Sequence, residues 1–283
     1  MRTPDFVSVG HLCCDLVDGR RILGGSASYS SLTARRLGRN VGVVTAVASD
    51  FPFLATFENV SISISTAPSS STTVFRNSYR NGLREQFVKS VAAPIRSEDV
   101  PEPWTATPIV YICPIADEVM PDVPERFRDS IIGMGAQGWF RKWDSTGRVR
   151  KKEWTNVAEV TRHADAVVYS ELDTDDPYGL AREIVQRTQI VIVTQSSRGA
   201  DLFTRDMKTH VPAFPIEEID PTGAGDVFAA AFLVRYQERN DPVEAAKFAC
   251  CAASFVCEKE GTEGIPTLEQ VIERKKKYDE MCE

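Results

Sequence analysis

The sequence predicts an α/β fold, a mostly parallel sheet covered by helices with a small β lid at one end. Three observations carry this. From Ile109 onward short apolar runs alternate with helical stretches, the pattern of a helix-covered parallel sheet. Val41 to Ala48 is one continuous apolar run, as a strand buried on both faces requires. Between these, the stretch around residues 60–92 is poor in helix formers and polar on one face of each strand.

The elements follow in order. Phe6 to Val9 is a first strand ending at Gly10. Ser26 to Leu37, after Gly24-Gly25, is a helix that Gly38 closes in the usual C-terminal glycine position. Val60 to Ile64 alternates apolar and polar, and Thr72 to Tyr79 and Leu83 to Val91 flank Asn81-Gly82, a hairpin turn signal. With the segment from Cys14 to Leu23, these strands form either a lid or an edge hairpin of the main sheet. Ile109 to Cys113, Ala166 to Tyr169 and Ile190 to Thr194 are short buried strands, and Tyr178 to Arg187 is helical. Gly199 to Thr204 and Lys208 to Val211 form a hairpin turning at Asp206. Thr222 to Arg239 is a long apolar helix. Asp241-Pro242 caps and opens the next, Val243 to Glu258, and Thr267 with Gln270 makes a capping box for the last. The expectation is one domain, 1–283, with lid segments at about 11–23 and 60–92.

Composition excludes several classes. The chain has 283 residues, 42% hydrophobic and 26% charged, which suits a folded domain with a large core. A net charge of −7 argues against a sequence-independent nucleic-acid partner, although a few local donors can still hold an anion. Of seven cysteines none forms a C-x-x-C pair, and Cys250, Cys251 and Cys257 lie in an Ala-rich helix. They read as small buried residues in a reducing compartment. With no signal-like or membrane-length apolar run, a cytoplasmic protein without a membrane partner is expected. His11, His163 and His210 are too scattered for a zinc site.

The informative stretch is Asp220-Pro221-Thr222-Gly223-Ala224-Gly225-Asp226, followed by an apolar helix. Gly223, Ala224 and Gly225 stand where a loop becomes a helix. Orphan backbone amides, absent side chains and the helix dipole together make an anion hole suited to a phosphoryl group. Asp226 follows in the first turn. A hydroxyl held there can pass its proton to the carboxylate while attacking a phosphorus in line. The plainer reading is a tight turn followed by an ordinary helix acid.

On these residues the chain resembles the pfkB (ribokinase-like) family of carbohydrate kinases. Asp220 to Phe228 resembles its C-terminal signature and Gly24-Gly25 its N-terminal di-glycine. The resemblance implies a ribokinase-like three-layer α/β/α sandwich with a β lid, ATP and Mg²⁺ as cofactors, and Asp226 as catalytic base beside Gly223, Ala224 and Gly225. It places Asp15 with Gly24 and Gly25 at the substrate. It places Thr194, Ser196 and Gly199, with Gly223 and Gly225, at the nucleotide. Ser196 replaces a usual glycine. Ser170 and Asp173 stand where the family has an Asn-x-x-Glu motif, so Asp173 is a metal candidate, or else an acid in an acidic loop. Asp220 is a second metal candidate, or a brace for its loop. Lid-to-lid homodimers occur in the family. A Walker A pattern is absent.

The acceptor is expected to be a small polyol. Tyr29 takes the position of a usual sugar-binding asparagine, which argues against a plain ribokinase or fructokinase. Together with Gln137-Gly138-Trp139-Phe140-Arg141 it is similar to the inositol-kinase-like branch. Gln137 and Arg141 then contact polyol or phosphate oxygens. Alternatively Trp139 and Phe140 are core and Arg141 is a surface charge. A sugar or nucleoside kinase is the runner-up, and an inactive ligand-sensing relative is the alternative of another class.

Overall fold

The computed structural model describes residues 3–80 and 83–282. The chain runs from β1 (Phe6–Val9) into the lid pair β2 (Cys13–Val17) and β3 (Arg20–Gly24), then α1 (Ser26–Arg36). Next come β4 (Val41–Val47), α2 (Leu54–Glu58) and β5 (Ser63–Pro68), followed by lid strands β6 (Thr73–Arg80) and β7 (Leu83–Ser90). β8 (Ile109–Ile112) and β9 (Ile131–Gly135) precede a short hairpin, β10 (Arg141–Trp143) and β11 (Val149–Lys151). α3 (Val157–Val160), β12 (Ala166–Ser170), α4 (Pro177–Ile184), β13 (Ile190–Thr194), β14 (Ala200–Phe203) and β15 (Lys208–Val211) follow. The chain closes with α5 (Ala224–Arg239), α6 (Pro242–Cys257) and α7 (Leu268–Cys282).

The main sheet has nine strands in the order β15-β14-β13-β12-β9-β8-β1-β4-β5. Neighbours from β13 to β5 pair in parallel, and β14 and β15 add an antiparallel hairpin at the edge in which only β14 runs against the rest. The period-2 geometry of strands divides their side chains between two cores. Phe6, Ile109 and Tyr111 join Val227 to Val234 of α5 on one face. Val7, Val110 and Ile112 join Trp104, Trp139, Trp154 and Ile184 on the other. Two cores against one sheet give a three-layer sandwich. β4 is buried at all seven positions, as its apolar run requires. Cys250, Cys251 and Cys257 are buried in α6.

The lid is a separate four-stranded sheet, β3-β2-β6-β7, so its strands are not an edge hairpin of the main sheet. One boundary is corrected. The sequence pattern places residues 60–68 in the lid, but β5 pairs in parallel with β4 from Gly42↔Ser63 to Val47↔Pro68 and forms the main sheet's edge. Its one-sided polarity is that of an edge strand, which alternation alone does not distinguish from a lid strand. The lid's second segment therefore starts at Thr73. The Asn81-Gly82 turn lies outside the described residues. The β10–β11 hairpin packs on the lid, where the Val88 amide donates to Gly147 O at 2.8 Å and Arg148 pairs with Glu85 at 2.6 Å.

His11 sits where β1 passes into the lid. It is fully buried, with Nε2 2.9 Å from Ala93 O and Nδ1 2.7 Å from Thr73 Oγ1. Beside it, the buried Glu118 carboxylate accepts amides from His11 (2.9 Å), Ile115 (2.9 Å) and Ala116 (2.7 Å). Three donors satisfy a carboxylate that burial would otherwise destabilise by several kcal/mol. No helix among the described residues is long and apolar enough to cross a membrane.

The topology marks one crevice. β1 lies between β4 and β8. From it the chain builds outward to β5 on one side and to β13 on the other. Open α/β sheets take ligands outside the carboxyl ends of the strands at such a switch point. Gly10, Cys113, Gly135, Ser170 and Thr194 all stand at that end of the sheet.

Candidate active site

Asp226 is the third residue of α5, which begins where it does because of Gly223. That residue caps the helix at φ +80, a left-handed conformation open to glycine at little strain. A Cβ there would also stand 2.2 Å from Tyr29 Cδ1, so glycine is required twice. The preceding loop is braced by Asp220, whose two oxygens accept the Thr222 amide (2.9 Å) and the Gly261 amide (3.2 Å). The Ala224 and Asp226 amides turn back to Pro221 O and Gly223 O, while no described residue accepts the Gly225 amide. A Cβ at Gly225 would meet no protein atom within 4 Å, so this face of the turn is open.

The Asp226 carboxylate is held from two sides. Tyr111 at the end of β8 offers its hydroxyl to Oδ1 at 3.4 Å, and the buried Ser26 hydroxyl donates from the first turn of α1. The N-termini of α1 and α5 thus meet at one acid, and the dipoles of both helices favour negative charge there. Burial nevertheless pushes the Asp226 carboxyl up to about 6. The Ser26 hydrogen bond, the Arg141 charge and the Tyr111 hydrogen bond pull it back down, and the Asp173 charge adds to the rise. A carboxylate that titrates near neutrality is matched to proton abstraction at physiological pH.

The di-glycine exists because backbones approach closely. A Cβ at Gly24 would strike Asp15 Oδ2 at 2.5 Å, and one at Gly25, which has φ +93, would strike His11 O at 2.7 Å. Asp15 is thereby held on β2 against the start of α1, opposite Ile22 and Phe75 in the lid. Tyr29, one turn into α1, is buried with its ring on the α-carbon of Gly223. Burial raises its hydroxyl well above the usual range, and the charges of Asp220, Asp15 and Asp226 raise it further. Tyr29 therefore lies among three of the sequence's candidate acids.

Arg141 enters from the base of the β10–β11 hairpin. Its guanidinium donates to Ile115 O at 3.3 Å and lies 5.7 Å from the Phe75 ring centroid. Its charge favours ionisation of both Asp226 and Asp173. Trp139 and Phe140 are core: Trp139 stacks on Trp154 at 4.8 Å and Phe140 meets the same ring edge-on at 5.6 Å. The two readings of that segment thus divide, with the aromatics in the core and Arg141 in the crevice. Gln137 is half-buried on the preceding turn. Asp173 closes the turn after β12 by accepting the Ser170 amide at 2.9 Å, and burial raises its carboxyl.

Thr194 ends β13, with its hydroxyl 3.4 Å from Tyr169 O. Ser196 is left-handed at φ +53, which accounts for the usual glycine at that position, and Gly199 follows at φ +104. Glu171 links this loop to the Asp173 turn: its amide donates to Thr194 O at 3.0 Å and its carboxylate pairs with Arg198 at 2.6 Å. Sequence reading missed Tyr111 and Ser26. Tyr111 lay inside an apolar strand run, and Ser26 carried no signal beyond its place after the di-glycine. Among the described residues no group of three acids, histidines or cysteines is placed to hold a metal unaided.

The profile of the pfkB family carbohydrate kinases matches residues 156–268. A nucleoside kinase of Methanocaldococcus jannaschii is 36% identical over 98 residues, which are 34% of this chain and 32% of that protein. A cytidine kinase of Thermococcus kodakarensis is 26% identical over 254 residues, covering 85% of this chain and 91% of the relative. The fold matches that of a pyrophosphate-dependent kinase in the ribokinase family, solved with a pyrophosphate analog and myo-inositol, with a TM-score of 0.77. The match has 22% identity and covers 94% of this chain and 99% of the other. The profile match over residues 156–268, the relatives and the three-layer fold make this chain similar to the pfkB family carbohydrate kinases, with the Asp220–Phe228 turn at the switch-point crevice inside the matched stretch.

Proposed function

We propose that the chain transfers the γ-phosphoryl group of ATP to a hydroxyl of a small polyol, with Asp226 as base. The observation that carries this is the Asp226 carboxylate beside the open Gly223–Gly225 turn, held by Ser26 and Tyr111 and titrating near 6. The acceptor hydroxyl gives its proton to Asp226 as the new O–P bond forms. The bond between the β-phosphate oxygen and the γ-phosphorus breaks, and ADP leaves. The Gly225 amide and the α5 dipole face the charge that builds on the phosphoryl oxygens. Arg141 supplies a fixed positive charge to the same crevice. Mg²⁺ would supply positive charge to the donor's phosphates, and one or two protein carboxylates would suffice to hold it. Asp173 fits that role better than Asp220, whose two oxygens already accept backbone amides.

The acceptor we favour is a cyclitol, with myo-inositol the leading candidate. Tyr29, buried with its ring packed on Gly223, stands where small-sugar kinases carry an asparagine and so removes a polar contact there, while Asp15 and Arg141 offer polar groups to the crevice. The solved myo-inositol complex of a protein with this fold supports that choice. A nucleoside acceptor is the second reading, favoured by the two nucleoside-type relatives. Purified protein with Mg·ATP is tested against myo-inositol, ribose, fructose, cytidine and adenosine, with pyrophosphate as an alternative donor. ADP release with myo-inositol above the no-acceptor rate supports the first reading. Release with cytidine alone supports the second, and release with no acceptor contradicts both.

A further inference from the structure

The Thr194–Gly199 loop is held in an unusual shape. Gly199 has φ +104, and a Cβ there would stand 2.1 Å from Val211 O. Ser196 has φ +53, a left-handed conformation that is strained for a non-glycine residue. Such positions persist only where neighbours over-determine them.

The determining contacts come from behind the loop. Gln195 is buried, and its backbone amide donates to Gly199 O at 2.7 Å. Its side-chain amide donates to the Tyr178 hydroxyl and to Asp201 Oδ2 at 3.2 Å. Asp201, on β14, is only 4% exposed. Lys208 Nζ reaches Asp201 Oδ2 at 2.9 Å, and His210 Nδ1 donates to Oδ1 at 2.7 Å, both from β15. The Lys208 ammonium also lies 4.6 Å from the Tyr178 ring centroid. Burial opposes ionisation of Asp201, yet the Lys208 and His210 hydrogen bonds outweigh it and hold its carboxyl below the usual range.

A buried ion pair is poor support for a fold, because a packed apolar residue in its place is often neutral or stabilising. What an apolar residue here cannot do is accept the Gln195 amide. We infer that Asp201, fixed by Lys208 and His210, is a positioning residue for the phosphoryl donor, holding the Thr194–Gly199 loop through Gln195. The inference rests on the reading of that loop as the nucleotide-contacting segment.

The test titrates the full chain calorimetrically with Mg·AMP-PNP, well below its melting temperature. Gln195→Met and Asp201→Leu each remove about one buried hydrogen bond's worth of loop ordering, so each weakens binding about five- to tenfold. With whichever acceptor turns over, the KM for ATP rises by the same factor, while kcat and the acceptor KM hold within about twofold. A merely structural role would lower the melting temperature without splitting the two KM values. Gln195→Met and Asp201→Leu proteins that bind Mg·AMP-PNP as wild type does overturn the inference. Should Asp201→Leu fail to fold, Gln195→Met decides alone, since it leaves the Asp201, Lys208 and His210 contacts in place. Thr194→Val separates the two levels. If it weakens binding while Gln195→Met does not, the inference alone falls. If it binds as wild type does, or if wild type binds no Mg·AMP-PNP, the donor-loop reading falls and the inference with it.

Discussion

Replacing Asp226 by Asn removes one ionisable group and little volume, and its effects on stability and turnover have opposite signs. Burial lifts this carboxyl from its ordinary 3.8 to about 6, so the folded chain binds the proton more tightly than the unfolded chain does. The contribution of this group to stability is therefore greatest below about pH 4 and declines as pH rises from about 4 through about 6. A difference of about two pH units, at 1.36 kcal/mol each, amounts to roughly 2–3 kcal/mol of destabilisation at pH 8. Asn carries none of it. Urea unfolding at pH 8 should show Asp226→Asn more stable than wild type by roughly 2–3 kcal/mol, and the gap should close towards pH 4. Turnover of the same variant should fall by about two to four orders of magnitude, the usual effect of losing a general base. An Asn variant less stable than wild type at pH 8 would refute the burial reasoning. An Asn variant that turns over normally would remove Asp226 as base.

Other outcomes follow from the same geometry. Tyr111→Phe and Arg141→Gln each remove an interaction that keeps Asp226 ionised. Both should move the acidic limb of kcat/KM to higher pH, and a limb that stays or moves down would show that another group titrates. Gly223→Ala forces a side chain into a φ +80 position and into the Tyr29 ring. Summing left-handed strain and overpacking, it should destabilise by about 2–5 kcal/mol in urea unfolding. Glu118→Ala strands the His11, Ile115 and Ala116 amides and should destabilise by roughly 3 kcal/mol or more, measured the same way. A loss under 1 kcal/mol would mean water replaces the carboxylate at this junction.

The parts of the site that were legible in the sequence are local in the chain. The turn from Asp220 to Asp226 needs left-handed backbone and a close approach to Tyr29, and only glycine satisfies both, so it leaves a mark in seven residues. The Gly24-Gly25 pair is marked for the same reason, by Asp15 and the His11 carbonyl. Tyr111 and Ser26 reach Asp226 from distant strands and helices, and nothing in their own neighbourhoods distinguishes them from core. Among the elements whose place the sequence does not announce, two have a plain physical reason. β9 carries Gly133 and Gly135, where a side chain would strike Leu233 and the Tyr111 hydroxyl. The room these glycines leave for α5 and Tyr111 also breaks the apolar run that would announce a strand. β5 has the alternation of any half-exposed strand, and its parallel pairing with β4 is a long-range fact. Asp220 shows a third case, in which residue type suggested a metal ligand but two backbone amides occupy its oxygens.

The central claim is that this crevice moves a phosphoryl group from donor to hydroxyl through Asp226. Phosphorus-31 NMR of wild-type protein with Mg·ATP and the responsive acceptor tests it most directly, with Asp226→Asn run in parallel under saturating Mg·ATP. The account predicts a new phosphomonoester resonance and ADP with wild type, and neither with Asp226→Asn, although both proteins bind Mg·AMP-PNP alike. A phosphomonoester formed at equal rates by both proteins, or inorganic phosphate as the sole product of wild type, would contradict it.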